Sequence, residues 1–118
     1  MLVLEYDHNA PSADFLEQTH RPFYEYVRAQ KPELPIVMMS SPDFDYISQA
    51  EQRRAIIRAT YDYAVANGDR NVYFLDGETF FGTTDRHSCT TDTIHPNDLG
   101  AFRMASVIRP VLEEILSK

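Results

Sequence analysis

The chain of 118 residues has a single cysteine, Cys89, and no apolar run near the roughly 18 residues needed to span a bilayer. One cysteine cannot form an internal disulfide and offers no zinc-ligand cluster, so we expect no disulfide framework, metal or other cofactor. Basic residues are also few: 11 Lys and Arg stand against 18 Asp and Glu, a formal net charge of -7. A phosphate backbone would be repelled, so neither a nucleic-acid partner nor a membrane partner is expected.

Length and composition indicate one globular domain over residues 1–118, with 43% hydrophobic and 25% charged residues. Met1 leads directly into a strand-like run, without a signal peptide between them. As the chain stands, we expect a soluble, cytoplasmic protein. A secreted or periplasmic location is expected instead if a signal peptide precedes Met1.

Apolar periodicity predicts alternating strands and helices. The predicted strands are 2–6, 36–40 and 71–76, and the predicted helices are about 14–30, 48–66 and 98–116. Ser12, Ser48 and Asn97 are expected N-caps, and Pro22 is expected to kink or break the first helix. The last helix is expected to turn Leu99 and Phe102 inward or partly inward, together with its later apolar residues. This order predicts a parallel sheet flanked by helices, in which ligands bind at the carboxyl ends of the strands.

One stretch after the third strand carries the clearest chemical signal. Asp92 lies three residues before His95, on a predicted loop that leads into the last helix. A carboxylate can hold an imidazole in one tautomer and stabilise its charged form, which makes the histidine a usable general base. The same two residues could instead only cap the last helix. Asn9, in the turn after the first strand, could likewise be an ordinary Asx-turn residue.

Hydroxyl and thiol nucleophiles near this edge leave further alternatives open. Ser40 and Ser41 end the second strand, and their hydroxyls could act as nucleophiles. A strand terminus followed by a turn also explains both serines. Cys89 lies two residues after His87, which makes a Cys/His nucleophile conceivable, although a small loop residue is the simpler interpretation.

Charged side chains near this edge are open to two interpretations. Four carboxylates could hold a divalent metal, but turn and helix N-terminal positions are the favoured explanation for Asp43, Asp45, Asp76 and Glu78. His8 could line a pocket or lie in a solvated turn, and His20 is expected to be structural. The solvated face of the second helix is predicted to carry Arg53, Arg54 and Arg58, paired with acidic residues.

Two motifs bear a family resemblance. The stretch from Asp92 to Gly100, with its Asp-x-x-His-Pro-Asn pattern, resembles the last motif of SGNH, or GDSL-type, ester hydrolases. Tyr6-Asp-His-Asn-Ala-Pro11 resembles their third motif, and 41–44, 71–77 and 85–89 are also similar to a bacterial branch of GDSL-like lipase/acylhydrolases. The resemblance implies a three-layer α/β/α, flavodoxin-like fold, truncated here to about three parallel strands.

The resemblance also implies roles for three residues. His95 would be the catalytic base, Asp92 its orienting partner, and Asn9 a donor to the oxyanion. Asp7 and Ala10 stand where the third motif usually has glycine and aspartate, so the backbone around Asn9 departs from the family pattern.

The family nucleophile is a serine in an upstream Gly-Asp-Ser or Gly-Ser-Ser motif. Only eight residues precede Asn9, so this chain resembles the C-terminal half of such an enzyme and is expected to be inactive alone. Its relatives would hydrolyse small O-acyl esters, including acylated carbohydrates. A non-catalytic binding or self-assembling module is the alternative, and complementation by a second polypeptide is a third. Residues 2–6 would form an unpaired edge strand, which predicts a homo-oligomer.

Overall fold

Three parallel strands form the centre of the molecule. The computed structural model describes residues 1–42, 45 and 47–118. Its elements are β1 (Leu2–Leu4), α1 (Ala13–Gln30), β2 (Ile36–Met39), α2 (Ala50–Ala66), β3 (Val72–Leu75) and α3 (Asp98–Ser117), with short 3₁₀ turns at Gly77–Thr79 and Arg86–Cys89. The strand order is β1–β2–β3, and both pairings are parallel. The three strands are therefore as predicted but shorter, since pairing stops before the polar residues at their ends.

Side-chain alternation along β2 creates the two cores. Ile36 and Met38 pack on one face of the sheet with residues of α1 and α2. Val37 and Met39 pack on the other face, against α3 and the loop that precedes it. Because all four side chains are buried, the central strand is an uninterrupted apolar run. The result is a helix layer, a sheet and a second helix layer, as expected for a three-layer α/β/α fold.

The predicted helix starts are correct in two of three cases. The Ser12 Oγ accepts the N–H of Phe15 at 3.1 Å, and the Asn97 Oδ1 accepts the N–H of Gly100 at 3.0 Å. The Ser48 prediction is wrong. Helix α2 begins at Ala50, and its N-cap is Gln49, which makes no side-chain hydrogen bond.

Helix α1 does not break at Pro22. The helix runs from residue 13 to 30 with the proline inside it. Leu16, His20 and Tyr24 are buried on both sides of the proline, so tertiary packing offsets the lost backbone hydrogen bond.

The inward orientation predicted for the start of α3 is wrong for two residues. Leu99 is 40% exposed and Phe102 is 72% exposed. The helix packs on the sheet from Met104 onward, whereas its first turn packs through Gly100 against Cys89. No helix in the described part of the chain has both the length and the apolar content needed to cross a bilayer.

His20 is a structural residue, as predicted. Its ring stacks on Tyr6 with 5.7 Å between centroids, and its Nδ1 lies 2.9 Å from the Thr60 Oγ1. Burial lowers the pKa of His20 from 6.5 to about 4.

This lowered pKa predicts acid sensitivity. The contribution of His20 to stability is fully present above pH 6.5 and declines as the pH falls towards 4, since the unfolded chain takes up the proton first. The loss should approach about 3 kcal/mol. Urea unfolding across this pH range measures it, with His87→Gln, an exposed histidine, as control. A His20→Gln variant with undiminished acid sensitivity would contradict the assignment.

Candidate active site

The Asp92 carboxylate binds both the backbone and the ring of His95. Its Oδ1 accepts the N–H groups of Ile94 at 3.0 Å and of His95 at 2.7 Å. Its Oδ2 lies 2.5 Å from the His95 Nδ1. The turn requires Thr93 to adopt a positive φ of 74°, an uncommon conformation for a β-branched residue. The structure therefore brings the two predicted residues together within one tight turn.

This turn sets the electrostatics of the pair. Donation from the His95 backbone N–H, aided by the His95 ring and the Ile94 N–H, lowers the pKa of Asp92 to about 2. Asp92 is therefore ionised across the neutral range. An ionised carboxylate at Nδ1 favours the tautomer with its proton there, which makes Nε2 the basic nitrogen.

Hydrogen bonds connect the loop that carries His95 to the start of α3. The Asn97 Nδ2 donates to the Ser88 carbonyl at 2.7 Å, and the Asn97 N–H donates to the Cys89 carbonyl at 2.9 Å. The Thr91 N–H donates to the His95 carbonyl at 3.0 Å. These contacts close the loop at its base, so the histidine is presented from a fixed turn.

The turn that carries Asn9 is held by Arg53. This guanidinium donates to the carbonyls of Asp7 at 2.6 Å and Ala10 at 3.1 Å, which bracket Asn9. Asp7 is only 2% exposed, and its Oδ2 accepts the N–H of Ser41 at 2.9 Å. The prediction of a solvated Arg53 is wrong, because its side chain is only 12% exposed, although the expected acidic partner is present as Asp7. Asp7, which stands where the third motif usually has glycine, thus bonds this turn to Arg53 and to the backbone of Ser41.

Asn9 and His95 line the same groove, which has a volume of about 440 Å³. Its apolar walls come from Val3, Met39, Phe80, Ile94 and Met104. The groove lies at the carboxyl edge of the sheet, where parallel α/β folds bind ligands. An apolar groove with a few converging polar groups is the usual form of a small-molecule site.

The proposed substitute nucleophiles have different surroundings. Ser40 is buried, and its Oγ accepts the Gly77 N–H at 2.8 Å. Cys89 is fully buried, and its Sγ lies 3.8 Å from the Asp85 carbonyl, so it is a packing residue. The Ser41 Oγ, in contrast, makes a hydrogen-bond contact with the His8 Nε2. Ser41 and His8 were each candidate site residues from the sequence, but their contact was not predicted.

The candidate metal carboxylates face arginines. Asp45 pairs with Arg86 at 2.7 Å, and Asp76 binds Arg54 through both carboxylate oxygens. Asp43, together with residues 44 and 46 of the same predicted loop, lies outside the described residues. Over the part of the chain that is described, no group of three or more histidine, cysteine or carboxylate side chains could hold a metal ion.

Comparison with known proteins identifies one family, and the solved structures of similar fold include the two described here. The sequence model of the GDSL-like Lipase/Acylhydrolase family matches residues 2–113. A Bacteroides ovatus protein assigned as a GDSL-like lipase superposes with a TM-score of 0.80 at 25% identity, covering 98% of this chain and 35% of its own. Salicylyl-acyltransferase SsfX3, from a tetracycline biosynthetic pathway, superposes with a TM-score of 0.71 at 20% identity. That alignment covers 97% of this chain and 36% of SsfX3, and at this identity it concerns the fold alone. No curated protein matches the chain.

Proposed function

This chain belongs to the GDSL-like lipase/acylhydrolase family, and we propose that it supplies the general base of an acyl-ester hydrolase. His95 is the general base, Asp92 its orienting partner and Asn9 a donor to the oxyanion. One observation carries the proposal: the ionised Asp92 holds the Nδ1 of a histidine that lines the same groove as Asn9.

The nucleophile in this proposal comes from outside these 118 residues, as the family's Gly-Asp-Ser or Gly-Ser-Ser serine. Among the described residues that line the groove, Ser40 is the one serine, and its Oγ is occupied by the Gly77 N–H. The His95 site alone then has a base and an oxyanion donor but no hydroxyl to acylate. We therefore expect the isolated chain to lack turnover at this site.

The proposed reaction follows from this division of roles. The His95 Nε2 takes the proton of the serine hydroxyl as the oxygen attacks the ester carbonyl. The Asn9 Nδ2 donates to the resulting oxyanion, and Asp92 stabilises the imidazolium. The imidazolium then gives its proton to the departing alcohol. Attack by water on the acyl-serine completes hydrolysis, whereas attack by another hydroxyl gives acyl transfer, the activity named for SsfX3.

The proposed substrate is a small O-acyl ester, with acylated carbohydrate as one form of it. The groove volume of about 440 Å³ and its mixture of apolar walls with polar groups support a short acyl group and a polar leaving alcohol. Rates with p-nitrophenyl acetate and with the dodecanoate ester test this. Faster turnover of the dodecanoate would contradict it.

The oxyanion role is tested with Asn9→Ala. We define the assembled enzyme as this chain combined with a polypeptide that carries the family's upstream serine motif. In it, loss of the Asn9 amide should lower kcat by roughly 100- to 1,000-fold, because one donor to the developing charge is removed. Asn67→Ala, on the exposed end of α2, is the matched control. Equal rates for the two variants would contradict the role.

A second proposal concerns self-assembly, the feature of a non-catalytic module. In the described residues β1 pairs only with β2, and its Val3 side chain is 43% exposed. We propose that the open edge of β1 pairs with a second copy of the chain. Val3→Lys should weaken this dimer in sedimentation, whereas Val65→Lys, at a 48% exposed position on α2, should not. A wild-type chain that stays monomeric at micromolar concentration would contradict the proposal.

A further inference from the structure

Ser41 and His8 form a second hydroxyl–imidazole contact, and His8 also lines the groove that holds Asn9 and His95. Ser41 follows β2, and its Oγ contacts the Nε2 of His8 in the turn after β1. Both residues thus lie at the carboxyl edge of the sheet. A hydroxyl beside an unprotonated imidazole nitrogen can transfer its proton there, which is the requirement for a serine nucleophile.

A buried aspartate links the backbone segments that carry the pair. Asp7 immediately precedes His8, and its Oδ2 accepts the Ser41 N–H at 2.9 Å. The Asp7 Oδ1 in turn lies 3.3 Å from an Arg53 guanidinium that is only 12% exposed. The backbones that carry Ser41 and His8 are therefore connected by partly buried contacts.

The pair lines a cavity of about 150 Å³ between the ends of the strands and the start of α2. A cavity of about this volume can hold a group the size of benzene, which limits a ligand here to a small acyl or aryl group. Arg53 and Arg54 also line the cavity, each already paired with a carboxylate, Asp7 and Asp76 respectively, so the cavity has polar walls beside its hydroxyl and imidazole.

We propose that Ser41 and His8 form a second acyl-accepting site for activated esters of small acids. The His8 Nε2 takes the Ser41 hydroxyl proton as Oγ forms a bond to the carbonyl carbon. The bond from that carbon to the leaving oxygen breaks, and His8 gives the proton to the departing alcohol. Water attacks the acyl-serine by the same proton path, which releases the carboxylic acid and restores the Ser41 hydroxyl.

The 118-residue chain alone tests this site. The probe is diethyl p-nitrophenyl phosphate, which leaves a phosphoryl group on a nucleophilic serine that water removes slowly. Peptide mapping should find this group on Ser41. Ser41→Ala should abolish the labelling, and His8→Gln should slow it by roughly 100-fold or more, the usual contribution of a general base. Ser106→Ala, at an exposed serine on α3, should label like the wild type.

Three outcomes would overturn the proposal: no phosphoryl group on Ser41, labelling of another residue such as His8, or a labelling rate that His8→Gln leaves unchanged. Mapping identifies the labelled residue in the unaltered chain, so the result stands even if a variant fails to fold. The experiment needs neither His95 nor a second polypeptide. Its failure would therefore leave the proposed role of the His95 site standing.

Discussion

Replacement of His95 by alanine in the assembled enzyme should lower kcat by roughly 10,000-fold or more, because the serine then loses its proton acceptor. Substrate binding should change far less, since the groove keeps its apolar walls. Steady-state kinetics with p-nitrophenyl acetate separates kcat from KM, and both chains carry Ser41→Ala so that the second proposed site does not contribute. Equal kcat for His95→Ala and the wild type would exclude His95 as the base.

Asp92→Asn is the companion variant. It preserves the size of the side chain but removes the charge that lies against the His95 Nδ1, so kcat should again fall by up to roughly 10,000-fold. Asp62→Asn is the matched control, since Asp62 forms an exposed ion pair with Arg58 on α2. If Asp62→Asn impaired kcat as much, the loss could not be ascribed to the tautomer of His95.

Gly100→Ala should have a large effect on the fold around His95. An added Cβ would lie 2.2 Å from the Cys89 carbonyl oxygen and 3.1 Å from the Pro96 Cβ. Both neighbours belong to the loop that presents His95, and the oxygen is a backbone atom that already accepts the Asn97 N–H. The loop or the first turn of α3 must therefore move.

The expected cost is about 3 kcal/mol or more, since overpacking is combined with the loss of a hydrogen bond. Alanine is preferred to glycine in a helix by about 1 kcal/mol, which is too little to reverse the sign. Urea denaturation measures the change. Gly68→Ala is the control. An added Cβ there meets nothing within 4 Å, so this variant measures the strain of a positive φ of 86° without a steric clash. A Gly100→Ala chain as stable as the wild type would contradict the packing described above.

Local patterns predicted the framework because the relevant interactions are local. The apolar run of β2 and the caps at Ser12 and Asn97 are set by neighbouring residues, and the structure contains them. The turn from Asp92 to His95 has the same origin, since its contacts join residues two or three positions apart. This is why the candidate base and its partner could be identified together from sequence.

Contacts between distant residues were not predictable in this way. Arg53 lies 46 positions from Asp7, and periodicity on α2 alone assigned it to a solvated face. Ser41 and His8 are 33 positions apart, and only the pairing of β1 with β2 brings them together. Phe102 shows the same limit, because its spacing fits an apolar stripe although the first turn of α3 does not reach the sheet.

The proposed role of His95 as the catalytic base is tested most directly by ester hydrolysis. The 118-residue chain is assayed with and without a polypeptide that carries the family's upstream serine motif. With p-nitrophenyl acetate, we predict turnover in the mixture well above the sum of the separate rates, and its loss when the mixture contains His95→Ala. A mixture that gains no turnover, or that gains it equally with His95→Ala, would contradict the claim that this chain supplies the catalytic base.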